Sequence, residues 1–164
     1  MGAPTIHASA VVLGARAILI RGPSGAGKSR LVLDVIAAAA AGRFAFTRLS
    51  FARLLADDRV HVEGVNGRVI ARPPAVLAGL LEVRGLGLLR LPFEPAAAVS
   101  LVVDLGVAAA PRLPDPAQAH TDVAGVPLPR LAVAPGCDAL PLVLAAISIP
   151  GGLPTCGLAT SGAP

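Results

Sequence analysis

The sequence predicts an α/β domain, a central mixed sheet with flanking helices organised around a phosphate-binding loop. Three observations carry that prediction. "RAILIR" runs straight into Gly22-x-x-x-x-Gly27-Lys28-Ser29 and then into a helical pattern, so strand, glycine-rich loop and helix follow in the order such a loop requires. Asn66-Gly67 separates two alternating segments, the strongest short hairpin signal. "AVSLVVDLG" is apolar almost throughout, as a strand covered on both faces must be.

Taken in order, "SAVVL" and "RAILIR" read as two strands joined by Gly14-Ala15, a pair suited to a type II′ turn because glycine takes positive φ cheaply. From Ser29 to Ala41, Leu31, Val32, Val35 and Ile36 recur at helical spacing within an alanine-rich stretch that Gly42 closes. "RFAFTRLSFARLLADDRV" opens ambiguously, since Phe44, Phe46, Leu49 and Phe51 suit a strand or a short helix; "RLLA" then reads as a buried strand ended by two acids. "VHVEGVNGRVIA" is the hairpin. "RPPAVLAGLLEV" reads as a short helix ending near Glu82, with Val76, Leu77, Leu80 and Leu81 on one face and proline suited to its start. "VPLPRLAVA" is a further strand, and "DALPLVLAAIS" a last helix with Asp138 as N-cap. Residues 1–149 form one domain, and the tail 150–164, rich in Gly, Pro, Ser and Thr, is expected to lack fixed structure.

Composition narrows the partners. A chain of 164 residues with 54% hydrophobic content buries a real core. Trp and Tyr are absent, so no aromatic surface for stacking bases is expected, which argues against nucleic acid. The formal charge of +4 is carried by scattered rather than clustered arginines. Cys137 and Cys156 lack metal-ligand or disulfide spacing, which fits a reducing cytoplasm. "MGAPTIHASA" has neither the basic nor the apolar part of a secretory signal, and the apolar run Leu140 to Ile149 is short of the ~20 residues a bilayer needs. A cytoplasmic protein without membrane association is expected.

The chemistry begins at the loop. Successive amides of Gly22, Pro23, Ser24, Gly25, Ala26, Gly27, Lys28 and Ser29, proline excepted, face one concavity, and the following helix adds the positive end of its dipole. Lys28 is the only lysine in the chain, whereas thirteen of the fourteen basic residues are arginine. A compact ammonium on a flexible stem fits between phosphates where a planar guanidinium does not. The Ser29 hydroxyl suits Mg²⁺. Downstream acids decide what is done with a bound nucleotide. Asp57-Asp58 follows a buried strand, where two adjacent carboxylates repel unless a cation or a shared proton offsets them; the bland alternative is a solvated turn or cap. Asp104, after "SLVV", reads as a turn, with an acid that holds Mg²⁺ through water or takes a proton as the alternative. Glu82 and Arg84 in "LLEVRGLGLLRLP" would lie on one side of an extended segment, a metal-binding carboxylate beside a phosphate-pairing guanidinium, with an ordinary polar turn equally open.

Taken together, "GPSGAGKS", "ADDRV", the proline pair and "LLEVRGLGLL" resemble the catalytic domain of the HPr kinase/phosphorylase family, bacterial protein kinases built on a P-loop. The likeness is dense from Arg21 to Leu91 and thinner on both sides. It implies an ATP- and Mg²⁺-dependent serine kinase for a small HPr-like phosphocarrier protein, and the reverse phosphorolysis. It implies Asp58 as the catalytic carboxylate, Asp57 as its partner, Ser29, Asp57 and Glu82 on the metal side, His7 as the active-site histidine at the start of the first strand, Arg84 within the signature, and Arg112 as the match to a downstream arginine. Homo-oligomers, hexamers among them, are known in the family. Two departures matter: the interval from Lys28 to Asp58 is longer than usual, and "VAPGCDAL" lacks a glycine-arginine tied to the reverse reaction, which counts against phosphorolysis. A small-molecule kinase and a non-catalytic nucleotide sensor are the competing readings.

Overall fold

The structure is a computed structural model that describes residues 4–43 and 50–148. β1 (Thr5–Leu13) and β2 (Arg16–Arg21) form the first hairpin, in which Leu13 pairs with Arg16 and Gly14 alone takes positive φ at 61°, as a II′-type turn requires. The first strand starts four residues earlier than its apolar pattern shows. Helix α1 (Lys28–Ala40) ends in a Schellman arrangement: Gly42 sits at φ 64°, the Arg43 amide donates to the Ala38 carbonyl, and the Gly42 amide to that of Ala39. The ambiguous phenylalanine segment, residues 44–49, lies outside the described residues, as does the tail from residue 149 on.

β3 (Ala52–Ala56) is the expected buried strand. β4 (Arg59–Val65) and β5 (Arg68–Arg72) form the expected hairpin, with Asn66 and Gly67 both at positive φ, the type I′ condition. The expected helix toward Glu82 is not formed. A single 3-10 turn, Ala75–Leu77, is followed by Gly79 at φ 76° and then by a third hairpin, β6 (Leu80–Val83) with β7 (Gly87–Arg90). The helical spacing of apolar residues misled because Gly79 takes a conformation a helix excludes, closely packed on Phe93, and because Val76 is exposed while Leu81 alone is buried. β8 (Ala97–Leu105) and β10 (Val126–Val133) match expectation. The short β9 (His120–Val123), absent from the sequence reading, pairs with β10. Helix α2 (Leu140–Ser148) has the Leu140 amide donating to Asp138 Oδ1 at 3.0 Å, so Asp138 does satisfy a free amide at that end.

Among the described residues the main sheet has eight strands and is mixed: β2 lies parallel to β8 and β8 to β10, while β1–β2, β1–β4, β4–β5 and β5–β8 are antiparallel. These pairings close a ring, β1-β2-β8-β5-β4 and back to β1. Its second core, on the face away from the helices, is lined by small residues, Ala8, Ala10, Ala17 and Ala71, with Val12, Leu19 and Val102, so these side chains fill the inside of the curled sheet. The other face packs Ile18, Ile20, Leu101 and Val103 against Leu31, Val32 and Val35 of α1 and Val143 of α2. Both helices therefore cover the same face. The three parallel strands end together, which puts the loops after β2, β8 and β10 at one edge, where ligands bind in α/β sheets.

Candidate active site

A cleft of about 1160 Å³ opens at that edge, and Gly25, Lys28, Asp57, Asp58, Glu82 and Arg84 are among the residues lining it. Its floor is the loop between β2 and α1. Gly27 stands at φ 93° as N-cap of α1, no side chain caps the helix and its first turn carries no acid, so the terminal amides are left open to an anion. Gly22 is required by close packing: at φ 151°, an added Cβ would stand 2.8 Å from the Leu105 carbonyl oxygen. An added Cβ on Gly25 would lie 3.6 Å from an Arg84 guanidinium nitrogen, which places that guanidinium over the loop.

Lys28 is 7% exposed and spends all three ammonium hydrogens locally, on the carbonyls of Gly22 at 3.0 Å and Pro23 at 3.1 Å and on His7 Nε2 at 3.0 Å. An ammonium has only hydrogens to offer, so Nε2 accepts and the His7 proton resides on Nδ1. Nδ1 in turn faces Asp58, 3.1 Å from its carbonyl oxygen and 3.3 Å from Oδ1. Burial lowers the Lys28 pKa from its ordinary value, and the charges of Asp57 and Asp58 partly offset the effect.

The backbone turns the two adjacent aspartates in different directions. The Arg59 amide donates to the Asp57 carbonyl at 2.7 Å across Asp58, a γ-turn with Asp58 at φ 64°, the rare and strained form. Asp57 consequently points inward, 6% exposed, and Asp58 outward, with its side chain 65% exposed. Asp57 is satisfied by three elements at once: Oδ1 accepts the hydroxyls of Ser9 from β1 at 2.6 Å and Ser29 from α1 at 2.8 Å, and Oδ2 accepts the Glu82 amide from β6 at 3.1 Å.

The structure thus brings His7, Lys28, Ser29, Asp57, Asp58, Glu82 and Arg84 to one cleft. Arg112 is not brought there; it sits exposed on the loop between β8 and β9. Asp104 is not in a turn. It lies within β8, side chain 13% exposed, where Arg21 Nε and a terminal guanidinium nitrogen reach its two oxygens at 2.7 and 2.8 Å and Arg130 Nε reaches Oδ2 at 2.5 Å. Burial raises the Asp104 pKa, but the hydrogen bonds and charges of Arg21 and Arg130 outweigh it and hold the carboxyl below the usual range. The sequence reading missed Ser9 and Gly106; the rest of the cleft wall, residues 134–139, lies in the "VAPGCDAL" stretch that the family resemblance singles out. The period-2 spacing of His7 and Ser9 signals the first, and the ends of the parallel strands β8 and β10 signal the wall.

Oxygen donors are what Mg²⁺ prefers. The Ser29 hydroxyl hydrogen is committed to Asp57, which leaves its lone pairs outward, and the Glu82 carboxylate lines the same wall. Among the described residues, no three His, Cys, Asp or Glu side chains converge into a closed cage. One or two carboxylates completed by phosphate and water is the usual Mg²⁺ arrangement at a nucleotide site, so these residues fit it. No helix among the described residues is long and apolar enough to cross a membrane.

Comparison with known proteins agrees with this geometry. Residues 3–134 match the family described as HPr serine kinase C-terminal domain. The chain is similar to the HPr kinase/phosphorylase of Clostridium tetani, 40% identical over 75 residues, 46% of this chain and 21% of that one. It is similar to the same-named protein of Clostridium beijerinckii, 36% identical over 84 residues, 51% of this chain and 24% of the other. The matched stretch therefore spans about a fifth to a quarter of these curated relatives. The solved structure of the Hpr(Ser) kinase/phosphatase from Coxiella burnetii superposes with a TM-score of 0.65 at 23% identity, covering 86% of each chain, which supports the fold. With a phosphate loop, an aspartate pair and a glycine-rich hairpin meeting at one sheet edge, and a match running through all three, the chain belongs to the HPr serine kinase C-terminal domain family.

Proposed function

We propose that this chain is the catalytic domain of an ATP- and Mg²⁺-dependent serine kinase that phosphorylates a small HPr-like phosphocarrier protein in the cytoplasm. The observation that carries the proposal is the placement of Asp58: exposed at the cleft mouth on a strained γ-turn, linked through His7 to the lysine of the phosphate loop. A carboxylate that only closed a turn would gain nothing from that strain.

In this reading the loop amides and the N-terminus of α1 bind the triphosphate, and Lys28 exchanges its carbonyl partners for phosphate oxygens. Ser29, Asp57 and Glu82 hold Mg²⁺, which when bound offsets charge on the phosphate oxygens. Arg84 reaches across Gly25 to the transferring group. Asp58 orients the serine hydroxyl and takes its proton as that oxygen bonds to phosphorus and the bond to the ADP oxygen breaks. His7, with its proton on Nδ1, holds Lys28 and Asp58 in register. Phosphorolysis is not included in the proposal, since the wall at 134–139 lacks the glycine-arginine pair.

The test is direct. Incubating the protein with ATP, Mg²⁺ and an HPr-like carrier should add one phosphate to a carrier serine, located by mass spectrometry. ATP binding without transfer to any carrier would favour a nucleotide sensor instead.

A further inference from the structure

We infer that Ser9, fully buried behind Asp57 in the cleft wall, is a positioning residue that fixes the Asp57 carboxylate and through it sets the affinity of the site for Mg²⁺; this rests on the function proposed above. Ser9 sits on β1 opposite Ile20, two residues after His7, so strand alternation turns both side chains to the face that α1 covers. Its side chain is fully buried, 0% exposed, among strands whose neighbouring inward positions are apolar. A hydroxyl is costly in such a place without a partner. Its partner, at 2.6 Å, is Asp57 Oδ1, a distance typical of a hydroxyl donating to a charged oxygen.

Oδ1 is also the acceptor for Ser29. The two hydroxyls come from different elements, and with the Glu82 amide on Oδ2 they fix the rotation of the carboxylate from three directions. Without Ser9, Oδ1 is held by Ser29 alone, and the carboxylate can turn so that Ser29 loses its fixed hydroxyl direction. The Ser29 lone pairs are then no longer aimed steadily at the cation. Removing such an outer partner of a metal ligand generally lowers metal affinity about 10- to 100-fold.

The experiment is calorimetric titration of ATP into the intact chain, with EDTA and over a series of Mg²⁺ concentrations, for wild type, Ser9→Ala, Ser9→Cys, Ser29→Ala and the Ser9→Ala/Ser29→Ala double variant. Circular dichroism and thermal unfolding verify that each is folded. The inference predicts that Ser9→Ala raises the Mg²⁺ concentration for half-maximal ATP binding about tenfold or more, leaving metal-free binding within about twofold of wild type. Ser9→Cys, close in size but a poor donor, should behave likewise, which keeps the test open if the alanine variant folds badly. In the double variant, Ser9→Ala should add little to Ser29→Ala, because both act through one oxygen. An unchanged Mg²⁺ response in folded Ser9 variants, equal losses with and without metal, or additive losses in the double variant would overturn the inference. A wild type indifferent to Mg²⁺ would instead refute the proposed function, and the inference with it.

Discussion

Replacing Asp104 with asparagine keeps the side chain's size but removes the charge that Arg21 and Arg130 share. The wild-type carboxylate is 13% exposed and takes three charge-assisted hydrogen bonds, at 2.7, 2.8 and 2.5 Å. Removing one partner of a buried ion pair costs about 3–5 kcal/mol, chiefly because the remaining charges stay uncompensated. Here the two arginines keep 29% and 24% exposure, so water relieves part of that cost and the lower end, about 3 kcal/mol, applies. For a chain of this size that corresponds to a melting temperature lower by about 6–12 °C. The pH dependence adds a second check. Because the folded carboxyl titrates below the usual range, its stabilisation is present above the unfolded value of about 3.9 and is lost as pH falls through the folded value. Urea unfolding at pH 7 and at steps down to about pH 3 should therefore show a gap between wild type and variant that is widest near neutrality and narrows below about pH 3.9. A variant within about 0.5 kcal/mol of wild type at pH 7 would refute the reasoning, as would a gap unchanged by acid.

Other outcomes follow from single contacts. Gly22→Ala should lose about 3 kcal/mol or more, since its Cβ meets backbone, whereas Gly27→Ala, at φ 93° with nothing within 4 Å, should lose only about 1–2 kcal/mol; comparable losses in thermal unfolding would contradict the packing argument. Asp58→Gly should raise stability by about 1 kcal/mol by relieving the γ-turn while abolishing transfer, and a destabilised variant would show that the turn is not strained. Lys28→Met should weaken ATP binding roughly 10- to 150-fold, the loss expected when one charge-assisted contact to phosphate is removed, and calorimetry checks it.

Local signals in the sequence held wherever they fixed backbone geometry. Asn66-Gly67 and Gly14 set two-residue turns, and Gly42 closed α1, because positive φ is a property of a residue and its neighbours. The apolar spacing around Val76 and Leu81 failed for the opposite reason: in a short segment, period alone does not separate helix from strand, and Gly79, packed on the distant Phe93, decided it. The loop from Gly22 to Ser29 was legible as a site because its chemistry is contiguous. The resemblance added His7 and gave roles to Asp58, Glu82 and Arg84, which their own spacing had already singled out, and all four line the cleft. It also offered Arg112, across gaps, and the fold leaves that residue on an exposed loop. Ser9 and the Arg21–Asp104–Arg130 group stayed hidden, since their partners lie 48, 83 and 26 residues away and only the closed sheet brings them together.

The rate of phosphate transfer by Asp58→Asn measures the central claim most directly. With ATP, Mg²⁺ and an HPr-like carrier, the variant should bind ATP as wild type does while transfer falls about 10²- to 10⁴-fold, the usual loss when a positioned base is removed. Transfer at the wild-type rate with ATP binding intact would contradict the assignment of Asp58 as the group that receives the serine proton.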